Sequence, residues 1–142
     1  MKVAVFLVLM IFPAIIFSAP MDEAKFKAWM KSVNIDGFKL MEVIKDGQES
    51  VAMFSGPSDL IQIRLGDISQ FKQSTSAVNL KIINGKSYSL KGMNAAFGTS
   101  DMGSMLIIEA KNIGGMVTLG TSKKVSQDYL EKIAEKIKLF NK

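Results

Sequence analysis

Apolar positions change their spacing along the chain, and each spacing predicts a different element. Residues 3–17 are apolar without interruption. Phe26, Trp29, Met30 and Val33 then recur at i, i+3, i+4 and i+7, the period of one helix face, which predicts a helix over residues 22–33. Asp22 and Glu23 lie in its first turn, where negative charge suits the helix dipole. The same stripe returns near the C-terminus in Leu130, Ile133, Ala134 and Ile137. Ser126 stands at the N-cap position of that second helix, predicted over residues 127–140, and its opposite face is charged.

Between these helices the period shortens to that of strands. Phe38, Leu40 and Ile44 alternate with Lys39 and Lys45, Asp46-Gly47 signals a hairpin, and residues 51–55 return. After a turn at 56–59, Ile61, Ile63 and Leu65 face one way and Gln62 and Arg64 the other. Residues 38–65 therefore read as an antiparallel meander. The polar stretch 68–76 interrupts it, as a short helix or a loop over one sheet edge with Phe71 plugged into the core. Residues 78–82 alternate again and read as a strand. Asn84-Gly85 reads as a type I′ turn, with residues 86–91 pairing back and Gly92 as a bulge. Residues 94–104 read as an irregular loop. Residues 105–110, apolar on both faces, read as a central strand, and Gly114-Gly115 turns into a last strand at 116–119. Each helix has one apolar face to bury. The fold class expected is α+β: a twisted, mainly antiparallel sheet of about six to seven strands, with both amphipathic helices packed on one face.

Residues 1–20 read as an export signal ahead of a single domain at 21–142. Lys2 supplies a positive start, the apolar run is shorter than the ~20 residues of a spanning helix, and Pro13 interrupts it near its end. Cleavage after Ala19 would place Phe17 and Pro20 at unfavourable positions, so an uncleaved anchor stays beside the cleaved form as an expectation. The location expected is periplasmic or secreted, with a membrane-tethered form as the variant.

The run GKSYSLKG, continued by MLIIEAKNIGGMVTLGTSKKVSQDYLEKIAEKI, resembles the second half of PsbP-like and related bacterial exported α+β domains, over residues 77–140. The resemblance rests on the order of strands, polar stretch and final amphipathic helix. It implies an accessory or binding role and transfers no functional residue.

Composition narrows the chemistry. The chain has no histidine and no cysteine, which removes Ser-His-Asp and Cys-His catalysis and every thiolate or imidazole metal site. The net charge is +5, yet Arg64 is the one arginine among scattered lysines, which argues against nucleic-acid recognition. No glycine-rich phosphate motif occurs; Gly114, Gly115 and Gly120 read as turn glycines. No cofactor is expected.

The remaining candidates are few. Met93, Met102, Met105 and Met116 would suit a soft ion such as Cu(I) or Ag(I), against the commoner use of methionine as core filler. Phe97, Asp101 and Met102 lie in the loop expected at 94–104 and would form the rim of a ligand or partner site. Glu109 falls in the expected central strand, where a buried acid needs a partner. Trp29, Phe38, Phe54 and Phe97 would either line a pocket between sheet and helices or fill it. The function expected is an exported, non-enzymatic binding or accessory module, for an unidentified protein or small molecule. The alternative is a carrier of a soft metal or a small apolar ligand. A hydrolase or lyase built on carboxylate and lysine ranks last.

Overall fold

The computed structural model describes residues 22–140, so the apolar run at 3–17 and its processing site lie outside the described residues. The chain opens with α1 (Glu23–Ser32), followed by a meander of β1 (Lys39–Asp46), β2 (Glu49–Ser55) and β3 (Leu60–Asp67). A connection follows, made of a 3-10 turn at Ile68–Gln70, α2 (Phe71–Ser74) and α3 (Ala77–Ile82). A second meander, β4 (Lys86–Leu90), β5 (Met93–Ser100), β6 (Gly103–Ala110) and β7 (Gly115–Thr121), precedes α4 (Gln127–Lys136). The strands form one antiparallel seven-stranded sheet in the order β1-β2-β3-β7-β6-β5-β4. The fold is α+β, with the sheet open and twisted.

Local chemistry explains both long helices. Asp22 caps α1 by accepting from the Lys25 N–H at 2.8 Å, and Ser126 caps α4 by accepting from the Tyr129 N–H at 3.1 Å. Their stripes pack on the same face of the sheet. There Phe26, Met30, Leu130, Ile133 and Ala134 meet Phe54, Ile63, Leu106, Ile108 and Leu119 in the main core. The Trp29 indole N–H donates to the Ile137 carbonyl at 2.8 Å and ties α1 to the end of α4. Helix α4 stops earlier than the stripe suggested. Lys138 takes a positive φ of 61°, and the Leu139 N–H returns to the Ala134 carbonyl at 3.2 Å.

The middle of the chain departs from the pattern reading. Residues 78–82, expected as a strand, form α3. Asn84-Gly85, expected as a hairpin turn, instead closes that helix: Asn84 has φ 51° and the Gly85 N–H donates to the Leu80 carbonyl at 2.7 Å. The type I′ signature sits at Lys91-Gly92, with φ 50° and 82°, and joins β4 to β5. Gly92 is thus a turn residue and not a bulge. Residues 94–104, expected as a loop, are most of β5, the tip at Asp101-Met102 and the start of β6. The strand total falls within the expected range, but one expected strand is a helix and one expected loop is a strand.

The strand order dictates where the connection runs. Strand β3 lies inside the sheet and β4 at its far edge, so the chain between them must pass β7, β6 and β5. It does so across the sheet's second face, opposite α1 and α4. Phe71, 7% exposed, anchors it on Ile107 and Met116 in a small separate cluster. This is the plug expected of Phe71, but into a different core from the main one.

Candidate functional site

The second face is readable from the ladder. One row across it runs Met53–Gln62–Gly120–Met105–Gly98, from β2 to β5. Gly120 and Gly98 flank Met105 and leave hollows in the floor. Their two hollows have different surroundings. A side chain at Gly98 would meet the Ile83 carbonyl oxygen at 2.5 Å, so glycine there admits the backbone that follows α3. That backbone is pinned by the Thr99 N–H donating to the Ile83 carbonyl at 2.6 Å and by the Asn84 side-chain amide donating to the Thr99 carbonyl at 3.1 Å. A side chain at Gly120 would meet nothing closer than 3.9 Å, so that part of the floor is open.

The result is a groove of about 440 Å³ between the α3 connection and the sheet. Met53, Leu60, Ile82, Ile83, Met102 and Met105 give it an apolar lining, and Gln62 lies on the floor. Ser100, Ser104, Thr121 and Ser122 line one end, with the buried Ser104 and Thr121 side chains turned to the main-core face. All four hydroxyls have structural duties: Ser100 Oγ accepts from the Met102 N–H at 3.2 Å and Thr121 Oγ1 donates to the Lys123 carbonyl at 2.7 Å. Ser104 Oγ donates to the Val125 carbonyl at 2.9 Å, and Ser122 Oγ donates to Asp59. Asp59 Oδ1 also accepts from the backbone N–H groups of Leu60, Ser122 and Lys123, which makes it a lock between the β2–β3 turn and the chain after β7. Among the described residues no Asp, Glu, Lys or Arg lines the groove. A second hollow of about 300 Å³ lies beyond α3 and shares Ile82, Ile83 and Met105 with the first.

Exposure singles out the same region. Met102, Val78 and Ile82 are 87%, 73% and 69% exposed, the highest values among the described large apolar side chains. Ile82 and Met102 form the rim, and Val78 lies one helical turn before Ile82 on α3. Helix α3 buries no residue of its own, so it covers the sheet without being sunk into it.

Beside the groove, Arg64 sits in a fixed network on the same face. Its Nη1 donates to Asp46 at 3.0 Å and to Glu49 at 2.8 Å, and its Nε donates to the Gln62 side-chain oxygen at 2.8 Å. Burial pulls the guanidinium pKa down, but Glu49 and Asp46 outweigh that and hold it above its ordinary value.

The residues singled out from sequence scatter. Met102 is on the groove rim and Met105 on its floor, while Met116 belongs to the neighbouring hollow. Met93 lies on the opposite face against the main core, so the four methionines do not form one site. Even Met53 and Met105, in one row, stand three strand spacings apart, about 14 Å at Cα. Their thioethers line a groove and do not converge on an ion. Among the described residues no carboxylate cluster suited to a metal occurs either. Phe97 also points to the main core, so the proposed rim of Phe97, Asp101 and Met102 is split across the sheet. Asp101 is fully exposed at the hairpin tip, with Lys124 at 3.6 Å. Phe54 lies in the main core with Trp29, Phe38 and Phe97 packed against it, and none of the four lines either hollow. Glu109 lies at a strand end, 15% exposed, and accepts from the Asn94 side-chain amide at 2.9 Å.

Sequence reasoning missed Met53, Gln62, Ile82, Gly98 and Gly120 as site residues. A signal was present in the glycines, because glycine inside a strand often marks a close backbone approach. Compared with models of known families, with curated proteins and with solved structures, the chain matches none. Among the described residues no helix is long and apolar enough to cross a membrane.

Proposed function

We propose that this protein is an exported, non-enzymatic binding module that takes a small apolar ligand into the groove beneath α3. The observation that carries the reading is the groove's lining: methionine and aliphatic side chains around an open floor, with no titratable group among them. Its volume lies within the range of small-molecule sites, which are mostly apolar with a few placed polar groups. Methionine favours such a role because its flexible, polarisable side chain adapts to ligand shape. General acid–base catalysis would need a titratable group within hydrogen-bond reach of the ligand. Export is supported by the apolar run at 3–17, and the resemblance to PsbP-like domains supports an accessory role.

The test uses protein labelled with ¹³C at the methionine methyl groups and titrated with 1-ethylnaphthalene. The methyl signals of Met53, Met102 and Met105 shift on binding, while those of Met30 and Met93 in the main core stay in place. Gly120→Val, which finds open space, blocks the groove and suppresses the shifts. Unmoved groove methionines at saturating probe, or unaltered binding to Gly120→Val, would sink the reading.

A further inference from the structure

Among the described residues Gln62 is the one with a side-chain amide in the groove's lining, and Arg64 engages the oxygen of that amide. Arg64 Nε carries only a hydrogen, so its 2.8 Å partner on Gln62 must be the carbonyl oxygen. Arg64 is in turn held by Asp46 and Glu49, which share its Nη1. The Gln62 oxygen is therefore committed to Arg64, which leaves the NH₂ group as the end of the amide available to a ligand. Among the described residues that NH₂ group donates to none. The groove thus offers a hydrogen-bond donor at the middle of an apolar floor, between Met53 and Gly120.

From this geometry we infer that the ligand is a neutral, apolar compound carrying one carbonyl-type acceptor, and that Gln62 is the residue that selects it. The inference rests on the groove reading above and names the ligand class for it. A neutral acceptor is favoured over a carboxylate for two reasons. Arg64 is outnumbered by Asp46 and Glu49, so the local charge is net negative. A carboxylate would also lose its hydration on entering an apolar lining that holds no cation. A hydrocarbon without an acceptor would leave the Gln62 donor unpaired beneath it, which costs affinity.

The experiment compares three probes of nearly one shape: 1-acetylnaphthalene, 1-ethylnaphthalene and 1-naphthoate, read by the methionine methyl shifts. The acetyl compound binds about three- to tenfold more tightly than the ethyl compound, the worth of one ordinary hydrogen bond. The naphthoate binds more weakly than the acetyl compound. In Gln62→Glu, which keeps an acceptor for Arg64 but has no donor, the acetyl-over-ethyl preference collapses to near one. Gln62→Leu does the same, and unchanged core methionine signals verify that both variants are folded. Equal binding of acetyl and ethyl probes to the native protein overturns the Gln62 assignment and leaves the groove reading standing. Tightest binding by the naphthoate overturns the neutral class. Failure of every probe to bind removes the groove reading and this inference together.

Discussion

At the scale of single residues, the clearest electrostatic feature is Tyr88. Its hydroxyl donates to Glu131 at 2.7 Å beneath α4, and Glu131 also accepts from the Gln127 amide at 2.9 Å. Burial first, and Glu131 second, push the Tyr88 pKa well above the ordinary tyrosine value. The folded protein therefore holds this proton more tightly than the unfolded chain does. That contribution to stability is complete below the ordinary tyrosine pKa of about 10 and declines as pH rises above it. Native protein should show delayed tyrosinate absorbance for Tyr88, and Glu131→Gln should bring its titration part of the way back, since burial remains. Urea midpoints should fall between about pH 9 and pH 11 more steeply in the native protein than in Tyr88→Phe. Trp29 allows a simpler test. Trp29→Phe keeps an aromatic ring in the core but leaves the Ile137 carbonyl unpaired, at an expected cost of about 1–3 kcal/mol in denaturant unfolding.

At the scale of elements, the helices α1 and α4 were legible because everything that makes them is local. Each has a capping side chain at its start and a stripe that any flat apolar surface would satisfy. Helix α3 and strand β5 were not legible, for a physical reason visible in their residues. Val78 and Ile82 alternate with Asn79 and Lys81 as a strand would, yet at i and i+4 they also share one helix face. Strand β5 reads MNAAFGTS, weak in β-formers, because its neighbours demand small side chains: Ala95 and Ala96 are buried on opposite faces, and Gly98 lies under Ile83. Its strand state comes from partners on both sides, not from propensity. Since α3 buries nothing, its amides should exchange with solvent far faster than those of β6 and β7, as hydrogen exchange would show. Phe71→Ala should cost about 3 kcal/mol and extend this rapid exchange to α2, while the sheet stays protected.

At the scale of the whole molecule, one topological choice creates the candidate site. Pairing β3 with β7 forces the chain to β4 across three strands, and the crossing segment roofs a face that, among the described residues, no long helix covers. The two glycines that flank Met105 should then respond in opposite ways. Gly98→Ala thrusts a methyl at the Ile83 carbonyl and should destabilise the protein by about 1–3 kcal/mol, whereas Gly120→Ala should leave the thermal midpoint nearly unchanged. Equal melting of the two variants would show that the crossing segment does not sit on β5 as described. What the chain's pattern determined alone is what depends on near neighbours: two amphipathic helices and the Ser126 cap of the second, the first meander, the strands at 105–110 and 116–119, and the absence of thiol and imidazole chemistry. Tertiary structure decided the partner of each middle segment, and with it which methionines share a face. Met93 and Met105 lie in adjacent strands, yet one belongs to the main core and the other to the groove, because side chains alternate across a strand and only the pairing register says which side is which.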